Sequence, residues 1–436
     1  MKIEFDVNDR LFFPQKLSFK KIDKYIIVLA PDYPNWIVLN KLEYQLFMYL
    51  RKESILNSMI KLRDKQNINE EDVKSTMQSL LKKIEVCQFY KDVNIRKEEK
   101  MCNITKNIHI NLTNDCNLRC KHCYMSAGLK ENKELNYEDI INFINKLNEI
   151  NGKTDIVISG GEPLMYKDLF KLLKCIKQLN NKVILFTNGL LINEDNIKIL
   201  KEYVDEIQIS MEGITRNSYE LIRGKNTYDK FMSSINLIKR ENIPLTLAIT
   251  VIDIVVDDIQ NELINFLNIL DFKKLNVRIN DNVEQKGNAI HLNNSNFKIN
   301  INLKNKVTDI IKQLNKSGYN IQTSKARNIQ FSNCGIGTSI IINYDGNIYP
   351  CAEYDIKFFD IYEEPKKIID EFNKLNNITG LNCIELCKSC ELRLLCNGGC
   401  RIKNYINNSS FTIPKCDKNY KEKKYYELIQ DYLRGE

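Results

Sequence analysis

From residue 107 onward, short aliphatic runs alternate with longer stretches in which apolar residues recur every three or four positions. The runs predict buried strands, and the stretches, such as that after Asn136 and that over about 168–179, predict helices with one apolar face. The predicted strands are Ile108–Leu112, Ile156–Ser159, Val183–Phe186, Ile207–Ser210, Leu245–Ile249 and Leu275–Ile279. Strands separated by helices are typical of a parallel βα array. Six strands are too few for a closed eight-stranded barrel, so we expect an α/β fold with an open, partial (β/α)6 TIM-like barrel.

Residues 1–96 show a different pattern, that of a small winged-helix-like α+β domain. The β-rich runs Tyr25–Leu29 and Trp36–Leu39 flank a Pro- and Asn-containing turn and predict a hairpin. Three helices should follow, one capped by Asn40, one over about 53–65 and one beginning near Asn69. Val86–Tyr90 is predicted to return as a strand. Residues 91–106 are highly charged and are interpreted as a linker.

Composition indicates an ordinary globular protein. Of the 436 residues, 43% are hydrophobic and 28% charged. No apolar run reaches the length of a membrane span and the N-terminus does not resemble a signal peptide, so we expect a cytoplasmic protein without a membrane partner. The net charge is +8, but the 64 basic and 56 acidic residues are interspersed. This favours a solvated surface over nucleic-acid binding, although a mild attraction to an acidic peptide is compatible with it.

The fourteen cysteines are unevenly distributed, which favours metal or redox chemistry over disulfides in a cytosolic protein. Three of them, Cys116, Cys120 and Cys123, follow the first predicted barrel strand at spacings that let their thiols converge. Three thiols are one short of a closed four-cysteine site, and reactive metal sites keep such a position open. Eight more cysteines lie within 334–416, and the remaining three, Cys87, Cys102 and Cys175, are interpreted as ordinary thiols.

Polar or glycine-rich segments end the next three barrel strands. These segments are Ser159–Pro163, Thr187–Gly189 and Ser210–Gly213, with Arg223 shortly after. The reactive groups of parallel βα folds gather at the C-terminal ends of the strands, so we expect these segments to form one site with the cysteine loop.

The Cys-x₃-Cys-x₂-Cys loop together with Gly-Gly-Glu-Pro resembles the radical S-adenosylmethionine (radical SAM) superfamily. The resemblance implies that Cys116, Cys120 and Cys123 hold a 4Fe–4S cluster whose fourth iron binds SAM, which is cleaved to a 5′-deoxyadenosyl radical. It further implies the following SAM contacts: His122 and Tyr124 beside the adenine; Gly160, Gly161, Glu162 and Pro163 at the methionine amino group; Ser210 and Arg223 at the carboxylate; Thr187 and Asn188 lining the pocket. Many relatives carry Asp where this chain has Glu212, which we leave without a role. The alternative is a three-cysteine zinc site in an unrelated fold.

The C-terminal cysteines resemble the SPASM extension of radical SAM enzymes, which carries two auxiliary 4Fe–4S clusters. The resemblance implies that Cys387, Cys390, Cys396 and Cys416 ligate one cluster and that Cys334, Cys351 and Cys400 ligate the other. These three cysteines leave the second cluster one protein ligand short. Either Cys383 supplies the fourth ligand, or one iron of that cluster stays open and binds a substrate thiolate. A pair of zinc sites is the competing interpretation. The run from Arg278 to Ala289 also resembles SPASM proteins, and it either lines the cavity or is a plain strand and loop.

These features predict three domains: residues 1–96 for peptide recognition, 97–317 for the radical SAM barrel and 318–436 for the SPASM extension. The hairpin and three helices of the first resemble the PqqD-like element that binds leader peptides by β-augmentation, the alternative being a domain that only packs on the core.

We therefore expect a maturase of a ribosomally made precursor peptide that joins a Cys sulfur to carbon as a thioether. Its partners would be that peptide and an external one-electron reductant of the flavodoxin or ferredoxin type. A carbon–carbon crosslink, epimerisation, formylglycine formation and a non-catalytic iron–sulfur protein remain alternatives.

Overall fold

The computed structural model describes residues 6–91, 96–98, 107–128, 134–280, 286–292, 301–319, 321, 329–354 and 356–434. Cys102 and most of the predicted linker lie outside this part of the chain. The chain divides into two compact units. The first comprises Met1–Lys100, Ser324–Cys334 and Ile378–Glu436, and the second comprises Met101–Thr323 and Gly335–Asn377.

The elements are numbered along the chain. The strands are β1 (Ser18–Ile22), β2 (Tyr25–Ala30), β3 (Asn35–Leu39), β4 (Arg96–Glu98), β5 (Asn107–Asn111), β6 (Asp155–Ser159), β7 (Lys182–Thr187), β8 (Glu206–Met211), β9 (Leu245–Thr250), β10 (Leu275–Asn280), β11 (Ile329–Phe331), β12 (Ser339–Ile342), β13 (Asn347–Tyr349) and β14 (Phe359–Asp360). The α-helices are α1 (Lys41–Leu50), α2 (Ile55–Gln66), α3 (Glu70–Cys87), α4 (Tyr137–Asn151), α5 (Leu169–Gln178), α6 (Asn196–Tyr203), α7 (Arg216–Arg223), α8 (Tyr228–Arg240), α9 (Val256–Leu270), α10 (Ile301–Lys316), α11 (Pro365–Ile378), α12 (Arg393–Cys396), α13 (Arg401–Asn408) and α14 (Lys418–Arg434). Short 3-10 helices span Pro163–Met165, Gly287–Leu292, Leu381–Cys383 and Glu385–Cys387. None of the helices in the described ranges is long and apolar enough to cross a membrane.

The second unit is built on a sheet of order β10-β9-β8-β7-β6-β5-β12-β13-β14. Its strands β5 to β10 are parallel neighbours in chain order, which confirms the predicted partial barrel. The sheet continues beyond β5 with β12, which is parallel to it, and then with the antiparallel β13 and β14. Sequence periodicity did not predict these last strands because they have only two to four residues. Aliphatic side chains of β5 to β9 and the flanking helices form one buried core, and the half-buried side chains of β10 pack against it.

The first unit contains the antiparallel sheet β1-β2-β3 and helices α1 to α3. The predicted hairpin is confirmed as β2 and β3, and Asn40 begins α1 with a reciprocal capping box to Glu43. The predicted strand at Val86–Tyr90 is wrong. Helix α3 continues to Cys87, and Gln88 ends it in the left-handed region with φ 48°. Phe89 then donates its backbone N–H to the Ile84 carbonyl and is fully buried, so this segment caps the helix instead of pairing with a sheet.

The core of the first unit joins distant parts of the sequence. Helix α14 packs against β1, β2 and β3. Its residues Tyr425, Leu428, Ile429 and Tyr432 share one buried cluster with Trp36 and its neighbours on the N-terminal sheet. Leu392 and Leu395, which lie between two of the C-terminal cysteines, belong to the same cluster. The cysteine-rich C-terminal segment and the N-terminal sheet therefore share one core.

Candidate functional site

The three cysteines of the predicted cluster loop lie together just beyond β5. Burial raises the pKa of the Cys116 thiol, and Cys123 acts in the same direction. Burial also raises the pKa of Cys120 to about 11, although the nearby Arg223 guanidinium opposes the shift. The thiols are close enough to affect one another electrostatically, and a metal that binds them must displace protons.

The loop that follows β6 is joined by its backbone to the residues that lead into the cysteine loop. Gly161 donates its N–H to the Thr113 carbonyl at 2.8 Å, and Glu162 donates to the Asp115 carbonyl at 2.7 Å. A Cβ on Gly161 would lie 2.1 Å from the Asp115 carbonyl oxygen, and Gly160 has a φ of +139°. The two glycines are therefore required by the close approach of these two strand-end segments.

The Glu162 carboxylate is fully buried and links two strand ends. It accepts hydrogen bonds from the Thr187 hydroxyl at 2.6 Å and from the Asn188 backbone N–H at 2.8 Å. The Asn188 amide in turn donates to Asn117 in the cysteine loop at 2.7 Å. Residues assigned separately from the sequence thus form one connected set, in which Glu162 and Thr187 are partners of each other.

Glu212, to which the sequence assigns no role, lies at the centre of a buried charge network. Its carboxylate accepts from Arg223 Nε at 2.5 Å and from Arg223 Nη2 at 2.8 Å. His122 Nε2, from the cysteine loop, lies 3.1 Å from the same carboxylate. Burial alone would raise the pKa of Glu212, but Arg223 and His122 outweigh it and hold the pKa at about 2. Glu212 thus occupies the Nε–Nη2 edge of the Arg223 guanidinium.

The remaining predicted SAM contacts differ in exposure. Pro163 is buried at the start of its 3-10 helix, and Ser210 is half-buried near the C-terminal end of β8. Tyr124 is 53% exposed. All of these residues belong to the second unit, near the ends of strands that the sequence assigned to the site.

The segment Gly287–Asn288 also supports the cysteine loop. Asn288 donates its backbone N–H to the Cys123 carbonyl at 2.8 Å and its side-chain amide to the Cys120 carbonyl at 3.1 Å. The sequence offered either a cavity lining or a plain loop for this run. The resemblance of Arg278–Ala289 to SPASM proteins was its only signal, and that did not point to the cysteine backbone as the partner of Asn288.

In the first unit, four of the C-terminal cysteines are gathered beside α14. Burial raises the pKa of Cys387 to about 11, and Cys396, Cys390 and Cys416 each push it in the same direction. Arg401 lies beneath this loop, fully buried, and donates to the carbonyls of Thr379, Asn397 and Gly399. These are the four cysteines that the SPASM resemblance assigns to one cluster.

The cysteines of the predicted second auxiliary cluster do not all belong to one unit. Cys334 and Cys400 lie in the first unit and Cys351 lies in the second. Cys383 ends a 3-10 helix in the first unit and is exposed. The composition of this cluster stays a prediction.

The side chains around both thiol groups suit an iron–sulfur cluster. Among the described residues, no three His, Cys, Asp or Glu side chains already stand in metal-binding geometry. However, His122 Nδ1 and both ends of the Asn114 amide are buried without a hydrogen-bond partner at the cysteine loop, and Arg401 Nη2 is buried and unpartnered at the C-terminal thiols. Thiols are soft metal ligands, and buried polar groups without a partner could hydrogen-bond to the sulfur atoms of a cluster. Both features fit a sulfur-rich anionic cluster.

Comparison with known proteins finds relatives of the barrel segment. Residues 110–267 match the family described as "Radical SAM superfamily". Over 154 residues the chain is 31% identical to the sporulation killing factor maturation protein SkfB of Bacillus subtilis, covering 35% of this chain and 37% of SkfB. Over 131 residues it is 30% identical to a probable GTP 3′,8-cyclase of Saccharolobus islandicus, covering 30% of this chain and 42% of the cyclase. The matched segment thus spans about two fifths of the length of each of these curated relatives.

Solved structures of one protein match over nearly the whole chain. One of them is Streptococcus suis SuiB bound to its precursor peptide SuiA, with a TM-score of 0.55, 16% identity, and coverage of 93% of this chain and 99% of SuiB. At this identity the likeness establishes a shared fold: a partial barrel, a small N-terminal sheet with helices and a cysteine-rich C-terminal region. The relationship to the radical SAM superfamily rests on the family match alone, and it covers residues 110–267 of this chain.

Proposed function

We propose that this protein is a radical SAM maturase that abstracts hydrogen from a ribosomally made precursor peptide and forms a Cys-to-carbon thioether. The observation that carries the proposal is the grouping of Cys116, Cys120 and Cys123 with buried polar groups from three neighbouring strand ends. One end of the sheet thus offers three soft ligands and the donors and acceptors that an amino-acid-like ligand requires.

Cys116, Cys120 and Cys123 would ligate a 4Fe–4S cluster, and Arg223 with Ser210 would bind the carboxylate of SAM. When bound, the cluster and SAM supply one-electron reductive cleavage to a 5′-deoxyadenosyl radical. The chain's own residues position the cysteine loop and the neighbouring strand ends. Asn288 and Asn188 each hydrogen-bond to the cysteine loop, and buried Glu162 fixes the strand end that bears Asn188.

The first unit supports a peptide as substrate. An antiparallel sheet with three helices provides a strand edge to which an extended leader could add. SkfB is named as a maturation protein and SuiB has been solved with a precursor peptide, which supports the same substrate class here. The probable GTP 3′,8-cyclase matches much the same proportion of the chain, so the match in the barrel segment does not by itself identify a peptide as the substrate.

Thioether formation removes two hydrogen atoms from the peptide. One leaves a carbon as a hydrogen atom and ends in 5′-deoxyadenosine, while the thiol loses a proton as its sulfur bonds to that carbon. The electron left over needs an acceptor, and the gathered thiols of Cys387, Cys390, Cys396 and Cys416 would hold an auxiliary cluster able to take it. An external one-electron reductant starts each cycle.

The radical step is tested on anaerobically reconstituted protein with dithionite and SAM. We expect 5′-deoxyadenosine from the wild type and from Cys175→Ala, whose cysteine lies on α5 outside the site. The triple Cys116→Ala, Cys120→Ala, Cys123→Ala variant should form none. No 5′-deoxyadenosine from the wild type would reject the proposal.

The product is tested by co-expression with a small Cys-containing peptide encoded beside the protein. A loss of two hydrogens per site, with that thiol resistant to alkylation, supports a thioether. Unchanged mass with new D-residues would indicate epimerisation instead. A loss of two hydrogens while every thiol still reacts with the alkylating reagent would indicate a carbon–carbon crosslink.

A further inference from the structure

Arg223 is held by two contacts on one edge of its guanidinium. Nε and Nη2 both donate to Glu212, so this carboxylate occupies the side-on edge of the fork. A guanidinium carries five N–H donors in a rigid plane, and its Nη1 edge remains for a second carboxylate. One arginine can therefore bridge a protein carboxylate and a ligand carboxylate in the same plane.

Glu212 joins three elements at one point. It follows β8 directly, its partner Arg223 ends α7, and its other partner His122 belongs to the cysteine loop. A backbone hydrogen bond from Lys121 to the Ile222 carbonyl, at 3.2 Å, joins that loop to α7 independently. The exposed fraction is 0% for Glu212 and 5% for Arg223, so water does not compete for these bonds.

A buried guanidinium without a partner is strongly disfavoured. Glu212 neutralises Arg223 in the absence of any ligand and fixes the rotation of its plane. A lysine could supply the charge but could not present two donor edges fixed in one plane. The Glu212 carboxylate therefore has a buried partner that the sequence alone did not reveal.

We propose that Glu212 is a positioning residue for SAM binding. It holds Arg223 by the Nε–Nη2 edge so that the Nη1 edge receives the carboxylate of SAM. This inference rests on the proposed function, in which Arg223 binds that carboxylate. Glu212 itself does not contact the ligand and acts only through Arg223.

The test measures the dissociation constants of SAM and of decarboxylated SAM by anaerobic calorimetry. Decarboxylated SAM retains the sulfonium and adenosine but lacks the group that Arg223 would bind. We expect Glu212→Gln to raise the dissociation constant of SAM by about tenfold or more and to leave that of decarboxylated SAM unchanged. The SAM-induced change in the electron paramagnetic resonance spectrum of the reduced cluster should weaken in parallel.

Two further variants keep the test decisive if Glu212→Gln folds poorly. Glu212→Asp retains the charge with a shorter reach and should weaken SAM binding less. Arg223→Lys should lose the preference for SAM over decarboxylated SAM, and adding Glu212→Gln to it should then change SAM affinity little further. Asp229→Asn, which breaks the exposed Arg216–Asp229 pair, is the matched control and should bind both ligands as the wild type does.

An equal loss of affinity for both ligands, or unchanged SAM affinity in Glu212→Gln, would overturn the positioning role. Failure of the wild type to bind SAM at all would instead refute the proposed function. The two failures are therefore distinguishable.

Discussion

The indole N–H of Trp36 donates a buried hydrogen bond to the backbone carbonyl of Leu428, with 2.9 Å between nitrogen and oxygen. Trp36 lies in β3 and Leu428 lies in α14, close to opposite ends of the chain. Trp36 is the only tryptophan of the sequence, so its fluorescence reports on this junction alone. The helix that follows Cys416 is thereby fixed to the predicted peptide-recognition sheet.

The first prediction concerns that junction. Leu428→Ala removes a side chain that is 3% exposed and leaves a cavity under the sheet. We expect the free energy of unfolding of the first unit to fall by about 2–5 kcal/mol. The measurement is urea unfolding followed by the wavelength of Trp36 emission.

Leu386→Ala is the matched control, because Leu386 lies in the same unit but is 65% exposed. Its unfolding midpoint should correspond to a change within about 0.5 kcal/mol. If Leu428→Ala and Leu386→Ala had equal midpoints, α14 would not stabilise the sheet.

The second prediction follows from the position of the C-terminal thiols in the same core. Cys390 and Cys396 pack against the cluster of buried residues that contains Trp36. A cluster that binds only the folded thiols stabilises the fold, so anaerobic reconstitution should raise the unfolding free energy reported by Trp36 by roughly 2–4 kcal/mol. The emission wavelength is the readout because an iron–sulfur cluster also quenches the intensity.

Cys416→Ser should abolish most of this gain, whereas Cys175→Ser, on α5 of the second unit, should preserve it. An equal gain in both variants would show that the cluster forms elsewhere. Iron and sulfide analysis of each sample relates the shift in midpoint to the cluster content.

The third prediction concerns the loop between β8 and α7. Asp258 accepts hydrogen bonds from the Ile214 N–H and the Thr215 hydroxyl, both at 2.6 Å, and from the Ser218 hydroxyl at 2.5 Å. Burial raises the pKa of Asp258, but these donors outweigh it and lower the pKa. Asp258→Asn replaces an acceptor oxygen by an NH₂ group, so we expect a loss of about 1–3 kcal/mol in unfolding free energy, measured by far-ultraviolet circular dichroism in urea.

The neighbouring Asp257 serves as the control, since it lies in the same first turn of α9 but its side chain is 72% exposed. Asp257→Asn removes only a surface pair with Lys306 and should change stability by less than about 1 kcal/mol. Indistinguishable curves for the two variants would mean that the Asp258 hydrogen bonds contribute nothing to the loop.

Local patterns predicted the parts of this fold that depend on local interactions. The aliphatic runs of β5 to β10, the cap Asn40 and the helix starts near Asn69 and after Asn136 are all where the sequence places them. Val86–Tyr90 failed because a β-rich composition was outweighed by the helix that precedes it. The grouping of Cys116, Cys120 and Cys123 was suggested by their spacing, since thiols that share a metal recur at short intervals.

The contacts of Glu212 and Asn288 could not be predicted in the same way. Each has partners that lie far away in sequence, and neither stands in a pattern that names them. The short strands β12 to β14 likewise depend on pairing with β5 and with each other. Such features arise only once the fold brings the segments together, and they include the residues that support the cysteine loop.

The last prediction is a pH dependence. The pKa of Glu212 is about 2, below its ordinary value of 4.5, because Arg223 and His122 outweigh the effect of burial. A carboxyl whose pKa is depressed by folding contributes stability above its unfolded pKa and loses it as the pH falls through the folded pKa. The ionised Glu212 should therefore stabilise the protein by roughly 3 kcal/mol above pH 4.5, and this contribution should disappear as the pH falls towards 2.

Other carboxylates titrate in the same range, so the quantity to measure is the difference in unfolding free energy between the wild type and Glu212→Gln. Protonated Glu212 and Gln are both neutral, so the difference should be largest between pH 5 and 7 and should shrink as the pH falls through 4.5 towards 2. Urea unfolding of the metal-free proteins at several pH values, followed by circular dichroism, gives this difference. Asp229→Asn should show no comparable trend, because its ion pair with Arg216 is exposed and contributes little to stability. A difference that stays constant over this range would mean that Glu212 acts through packing, and the charge network would then not be what holds Arg223 in place.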